Sequence, residues 1–591
     1  MKKSIKNIVF IAFFLMVNQG LKANVFASAI EIDYSGSFPA TIIYSLNQEA
    51  TSVSITIKDY PASTVVKTIT GGTSLGFNDV TWDGSLDAGG TATSGTYTIH
   101  INASDNTGTS EFEMISYETN PDSWYWSGSG VAAIKRQASP YFGMTYISER
   151  TGKMGHDNGS KPRGIYLHDS HGRYYGQSQV SAYASGNNEV VEWDSLAGYE
   201  GAPWGITVGQ DDRTYAFVLS SNGLPEGEVD GGLVVGDALF SSGNVEIILP
   251  FEGDPISDAL VIGLGVNRVL YTVEQTSERT GSDNDAADDG DGFDSAHIMK
   301  YELGESSGEF TGTAVEVIPT STLSHPFRIE IDSEGFLYVV QQAYSDLAVA
   351  NNIYGLSKWD ISGNSPTEVW HIGLNDAPDH ADSTANADNA RATNFNGLAL
   401  DEANGRVWIT RKNNSSALNI LAYDISTGAY QTGFGDGGWS IRDVNVDAAG
   451  NILIISSSYE KFRIFSPAGS NSFNTGSPWA IDAGVGVIAV PDDALAIDNP
   501  NDLPAHYSLA QNYPNPFNPV TSIEFTISQN EFVTLNIYDV TGRNVSTVVN
   551  NSLNAGNYKI SFDAVSLTSG IYFYELRAGS FISTKKMMLL K

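Results

Sequence analysis

A chain of 591 residues with no cysteine and a formal net charge of −36 has no disulfides, thiolate metal centres or cysteine nucleophiles. Single cores stop growing near about 250–300 residues, so several domains are expected. Residues 1–29 hold four Lys and no acid, and residues 503–591 hold six Lys/Arg against five Asp/Glu; the acidic excess therefore lies between them and opposes nucleic acid and anionic membranes.

Lys2, Lys3 and Lys6 precede an apolar run from Ile8 to Val17, and small residues follow at Ala27-Ser28-Ala29. This order of charge, apolar core and small residues predicts a cleavable signal peptide over 1–29. A ten-residue core is too short to cross a hydrocarbon layer of about 30 Å, and no later segment reads as a membrane span. Beyond it the chain is rich in Gly, Thr, Ser, Val and aromatics with few stretches at helical period, which predicts an all-β protein.

Residues 30–118 contain alternating strands such as Ser52-Val-Ser-Ile-Thr-Ile57, followed by Val80-Thr-Trp-Asp-Gly84 and Ser94-Gly-Thr-Tyr-Thr-Ile-His-Ile101. The section resembles the Ig-like domain of the flagellar hook-capping family. That resemblance implies a spacer or assembly module, with Trp82 a packed aromatic and Asp83 a turn carboxylate.

Residues 119–492 repeat two arms in a fixed order. The first reads Pro326-Phe-Arg-Ile-Glu-Ile-Asp-Ser-Glu-Gly-Phe-Leu-Tyr-Val-Val340, with fellows at Gly397–Ile409 and Arg442–Ile454 and weaker copies at Gly164–Tyr174, Gly205–Phe217 and Val261–Val273. The second includes Lys358-Trp-Asp-Ile-Ser-Gly363 and Ala422-Tyr-Asp-Ile-Ser-Thr-Gly428. Aligning Asp169, Gly209, Gly265, Asp332, Asp401 and Asp447 gives units near the roughly 40–50 residues of a propeller blade, some lengthened by insertions. The pattern is similar to repeats of the NHL and related families, and implies a six- or seven-bladed β-propeller. Its Asp-x-x-Gly pieces read as hairpin turns and not as catalytic carboxylates.

Surplus residues at 275–296, 341–352 and 373–393 are the expected functional loops, all at one end of the central channel. The first holds Asp283, Asp285, Asp288, Asp289, Asp291 and Asp294 with interspersed Gly, the oxygen-rich composition that Ca²⁺ takes; a solvated acidic loop is the other reading. The third offers His380 beside Asp379 and Asp382, one imidazole where a transition metal prefers two or more. His168 and His171 flank an Asp-Ser turn and read as exposed hairpin residues. At the loop bases, Gln341, Gln342 and Tyr344, then Arg411 and Lys412, then Tyr459 and Lys461 offer stacking and hydrogen-bonding groups to one ligand, or simply rim polarity. Gly304-Glu-Ser-Ser-Gly308 has the letters of a hydrolase elbow but sits in a hairpin, not a strand-to-helix turn.

Residues 493–506 read as a linker. From 507 to 591, Tyr513-Pro-Asn-Pro-Phe-Asn-Pro519, the Tyr538-Asp-Val-Thr-Gly-Arg543 turn, four alternating segments and the terminal Lys585-Lys586 resemble a type IX secretion sorting domain. The resemblance implies a small β-sandwich recognised by an outer-membrane translocon, with Lys585 and Lys586 as sorting residues. Together these readings give a secreted or surface-attached protein. Its propeller is expected to bind an extracellular polymer or partner protein, with a polymer-degrading hydrolase or lyase, or a structural adhesion protein, as the alternatives.

Overall fold

The computed structural model describes residues 24–591 apart from 117–122, 174–202, 220–230, 240–245, 249–255, 264–267, 276–295, 304–313, 342–354, 374–394, 412–417, 436–440, 457–459, 491–507 and some stretches of one to three residues. The Ig-like domain is a sandwich. Ala27–Asp33, Ala40–Leu46 and Gly76–Trp82 form one sheet; Ser52–Tyr60, Val65–Thr70 and Gly95–Thr109 belong to the other. Alternation along Ser52–Tyr60 sends Val53, Ile55 and Ile57 inward against Ile42, Tyr44, Trp82, Ile99 and Ile101. Trp82 is fully buried with its indole N–H on the Ser85 carbonyl, and Asp83 accepts the Ser85 amide, so both have the expected roles.

Two features differ from the linear reading. Gly469–Ala483 and Gly486–Ala489, assigned by sequence to the propeller, extend the second sheet of the sandwich: Gly469–Ala483 pairs along Gly95–Thr109. The propeller is thus inserted into the Ig-like domain, which a reading in chain order divides at 118/119 instead. The proposed cleavage region also lies inside the fold. Val25, Phe26 and Ala27 are buried, and Phe26 packs edge-on against Phe142 and Phe473. A cut at Ala29 would strip these from the core, which does not fit the expected cleavage there.

Six sheets follow, beginning with the inner strands Gly128–Ala133, Pro203–Val208, Ile256–Ile262, Pro326–Ile331, Phe395–Asp401 and Ile441–Val446. Each inner strand touches the next, and the last touches the first, which closes a ring. The sixth sheet takes its outer strand, Glu113–Met114, from the chain ahead of the first sheet, where Met114 pairs with Phe465. Joining the two ends of the array ties the ring at one blade. Among the described residues the propeller therefore has six blades, one of the two expected numbers.

The Asp-x-x-Gly turns work as expected. Asp332 accepts the amides of Glu334 and Phe336, and Gly335 takes φ 90° and donates to the Asp332 carbonyl. Asp447 repeats the pattern with Ala449, Asn451 and Gly450. Asp169 does too, but it follows the third strand of the first sheet, Gly164–His168, and not an inner strand. Local turn chemistry recurs at two places in a blade, which is why the sequence alignment misplaced this copy.

The tail is a second sandwich, with Ser508–Leu509, Val520–Ile527 and Gly556–Asp563 facing Asn544–Leu553, Glu531–Asp539, Gly570–Ala578 and Phe581–Leu589. Asn515 and Phe517 of the proline-rich segment dock on the final strand: the Met588 amide donates to Asn515, and Phe517 and Met588 share a backbone bond. Lys585 and Lys586 lie opposite Tyr574 and Phe573. Period-two alternation sends them to opposite faces, Lys586 exposed and Lys585 half-buried, so they do not form one basic patch.

Candidate functional site

Antiparallel register fixes which loops share a face. The starts of the inner strands lie beside the ends of the second strands, as in Pro326 with Gln341, Phe395 with Arg411 and Ile441 with Ser456. The strand ends that flank 276–295, 342–354 and 374–394 consequently all open on one face. The hairpin turns at 332–335, 401–405 and 447–451 lie on the other, and there the Ig-like domain makes contact, with Asn24 donating to the Ala449 carbonyl. The expected gathering of the three long insertions agrees with this strand register; the insertions themselves lie outside the described residues, as do all six aspartates from Asp283 to Asp294, His380, Gln342, Tyr344, Lys412 and Tyr459.

Gln341 and Arg411 are described, and both are buried at the last position of their strands. The Arg411 amide donates to the Asn419 carbonyl and its guanidinium to the Leu418 carbonyl, so it braces the base of the 412–417 loop. Glu149 and Glu274 occupy the same strand position in the first and third sheets. Both oxygens of Glu149 accept the Ser127 amide at 3.0 Å; Glu274 accepts Thr272 and Tyr301 hydroxyls at 2.5 and 2.7 Å. This ring of buried polar side chains holds loop bases in place. Lys461, which begins a third strand, sets its ammonium 4.4 Å from the centre of the Trp124 ring.

Beneath this rim the channel is crossed by a side chain that the sequence reading did not single out. Every inner strand carries a register shift near its start, between Gly128 and Gly130, Pro203 and Gly205, Ile256 and Asp258, Pro326 and Arg328, Phe395 and Leu398, and Ile441 and Asp443. The residues just past it include Gly130, Gly205, Asp258, Arg328 and Asp443, with Gly397 inside the shift of the fifth strand. A Cβ on Gly130 would meet the Gly205 Cα at 2.7 Å, and one on Gly397 the Asp443 Cα at 2.8 Å. Glycine there lets neighbouring backbones close up. Arg328, 4 % exposed, reaches across the space: Nη1 to the Ser257 carbonyl and Asp258, Nη2 to the Ser129 carbonyl, each at 3.4 Å, and Nη2 to Asp443 at 3.9 Å. Four of the six blades meet at this one guanidinium.

The two aspartates also stitch adjacent blades. Asp258 accepts the Ile329 amide at 2.7 Å, and Asp443 the Val131 amide at 3.0 Å. Burial pushes Asp258 up to about 7 against the pull of Arg328, and raises Asp443 for the same reason. Glu330, two residues along the strand from Arg328, is pushed up to about 8, chiefly by burial, with Lys135 opposing and Asp258, Asp443 and Glu402 adding to it. Of these carboxyl groups Glu330 holds its proton most firmly, while Asp258 and Asp443 are held against burial by the Arg328 guanidinium.

The histidines differ from expectation. His168 is fully buried and hydrogen-bonded through Nε2 to the Tyr125 hydroxyl at 2.9 Å; His171 is largely buried and meets the Leu46 carbonyl of the Ig-like domain. They pack the interior and the domain junction, and nothing local to that turn marks the approach of a partner domain. Among the described residues no group of three or more His, Asp or Glu is placed to hold a metal ion. No helix among them is long and apolar enough to cross a membrane.

Comparison with known proteins agrees with the two ends of the chain. Residues 511–590 match the model of the secretion system C-terminal sorting domain, and residues 29–107 that of the FlgD Ig-like domain. No curated protein matches. Solved structures with similarity include a structural genomics protein of unknown function from Bacteroides thetaiotaomicron (12 % identity, 74 % of this chain and 98 % of that one, TM-score 0.34). Another is PorZ, described as an essential bacterial surface component of the type IX secretion system of Porphyromonas gingivalis (10 % identity, 95 % and 70 %, TM-score 0.33). A third is the WD40 β-propeller domain of Doa1 (10 % identity, 63 % and 89 %, TM-score 0.31). The matched tail marks this chain for type IX secretion, and so for release or attachment at the cell surface.

Proposed function

We propose that this exported propeller binds an extracellular polymer or partner protein on the face that carries its long loops. The supporting observation is the register: the strand ends that flank 276–295, 342–354 and 374–394 open on one face, above a ring of buried polar side chains that fixes their bases. Long loops on a rigid support are where recognition concentrates. Because Gln341 and Arg411 are buried, the contacts come from the loops and not from these bases; Gln342, Tyr344, Lys412 and Tyr459 remain the proposed ligand groups. Replacing Tyr344 and Tyr459 together with alanine should weaken retention on the bound polymer at least tenfold, measured by depletion onto polysaccharides and extracellular proteins. Release of soluble product in the same assay would replace binding with hydrolysis or lysis, and unchanged retention would move the site to another face.

Calcium is the proposed cofactor of the 276–295 loop, held by carboxylates among Asp283, Asp285, Asp288, Asp289, Asp291 and Asp294. Ligand binding to the folded state alone stabilises by about 2.7 kcal/mol at a hundred times Kd. Calcium should therefore raise the melting temperature, and replacing Asp288 and Asp289 with alanine should abolish the rise. A parent protein whose melting ignores calcium and chelator alike would remove calcium from the account.

A further inference from the structure

A cleft of about 480 Å³ opens between the Ig-like domain and the first blade, on the side of the propeller opposite the long loops. Its size falls within the ~300–1,000 Å³ of small-molecule sites, which favour domain junctions. One wall is the irregular strand Ala27–Asp33, another is Trp479 on the strand that returns from the propeller, and the third is Tyr141 and Met144 from the hairpin of the first blade. Trp479 and Tyr141 are half-buried, while Met144 is buried and floors the space. The rings therefore keep accessible surface at a place where the two domains could have closed over them.

The polar groups narrow the ligand. Asp169 is already satisfied: Oδ1 accepts the His171 and Arg173 amides at 2.9 and 3.0 Å, and Oδ2 the Arg173 guanidinium at 3.2 Å. Burial opposes its ionisation, yet the His171 hydrogen bond and charge, with Arg173, hold its carboxyl below the usual range. Ser28 and Ser170 bond to one another at 2.8 Å. Glu31 is exposed, and its carboxylate has no hydrogen bond or ion pair among the described residues. The cleft thus offers aromatic surface, an apolar floor and one spare carboxylate acceptor. An anionic ligand would meet that carboxylate. A cationic one would gain only an exposed ion pair, worth about 0–1 kcal/mol. A neutral carbohydrate fits both features, with an apolar ring face against Trp479 or Tyr141 and hydroxyls donating to Glu31.

We infer that this interdomain cleft is a binding site for neutral oligosaccharide, separate from the loop face. Saturation-transfer NMR on the folded chain from Asn24 onward, with cellohexaose, xylohexaose, mannohexaose and chitohexaose, tests it. At least one hexaose should receive saturation. Trp479→Ala should weaken it at least tenfold and Glu31→Gln several-fold, the latter with an unchanged melting temperature because Glu31 has no partner to lose. Should Trp479→Ala fail to fold, Tyr141→Ala and Glu31→Gln carry the test. No transfer to any hexaose, transfer undiminished in the variants, or capture of oligolysine in place of the sugars would overturn the inference. The Tyr344 and Tyr459 double variant should keep hexaose binding, which separates this site from the loop face.

Discussion

Replacing Arg328 with methionine is expected to lower the melting temperature of the propeller by roughly 5–10 °C, read by calorimetry on the purified chain, since breaking a buried ion pair costs about 3–5 kcal/mol. The cost arises from what stays behind. Asp258 and Asp443 are buried beside the guanidinium, and without it each faces low-dielectric surroundings with no cation. The carbonyls of Ser129 and Ser257 lose their donor as well. Since these partners lie on the first, third and sixth blades, the loss is felt around the ring and not in one sheet. Arg328→Lys should fall between, because an ammonium keeps the charge but lacks the planar fork that reaches four partners. Adding Asp258→Asn and Asp443→Asn to Arg328→Met should recover part of the loss, as removing all the charges leaves none uncompensated. If Arg328→Met melts within a degree of the parent, the guanidinium does not bind the blades together.

The sequence made the periodic parts of this molecule legible. Alternation in Ser52-Val-Ser-Ile-Thr-Ile57 and the Asp332 and Asp447 turns are local, and each acts through residues within a few positions of itself. What was not legible depends on pairings hundreds of residues apart. Gly469–Ala483 carries no mark that its partner is Gly95–Thr109, and Glu113–Met114 is too short to stand out as the strand that closes the ring. His168 and His171 looked exposed because a polar turn normally is; His168 is covered by Tyr125 and Phe462 of the propeller and His171 meets the Ig-like domain, and none of these partners adjoins the turn in sequence. In the site, buried Arg411 and Gln341 were legible as a repeated position but not as loop braces. The channel cluster had a usable signal. Ile256-Ser-Asp258, Pro326-Phe-Arg328 and Ile441-Arg-Asp443 place charge at the third residue of an otherwise apolar arm, and aligning the arms there, instead of at their turns, brings an arginine and two aspartates to one level of the channel.

Glu330→Gln should stabilise the protein at alkaline pH and leave it unchanged near pH 4. Burial pushes Glu330 up to about 8 in the folded chain, whereas an unfolded glutamate titrates near about 4.3. Between those values the unfolded chain has released the proton that the folded chain still holds. Stability therefore falls as pH rises through that window, and the part of it that Glu330 removes is fully gone above about 8. Glutamine has the same shape and no proton to release, so it removes that fall. Each pKa unit corresponds to about 1.4 kcal/mol. Glu330 keeps some surface accessible within the channel, and discounting for that screening leaves a gain on the order of 2–3 kcal/mol at pH 9. The measurement is the difference in melting temperature between variant and parent across pH 4 to 9, because the overall charge of −36 lowers both curves at high pH and cancels in the difference. Asp258 and Asp443 face Glu330 across the channel, with Lys135 and Glu402 also acting on it. Asp258→Asn should accordingly make Glu330 easier to ionise and narrow the window from above. A difference that stays flat from pH 4 to 9 would mean that Glu330 ionises in the channel as freely as in water, and that the channel is wet enough to carry its charges unaided.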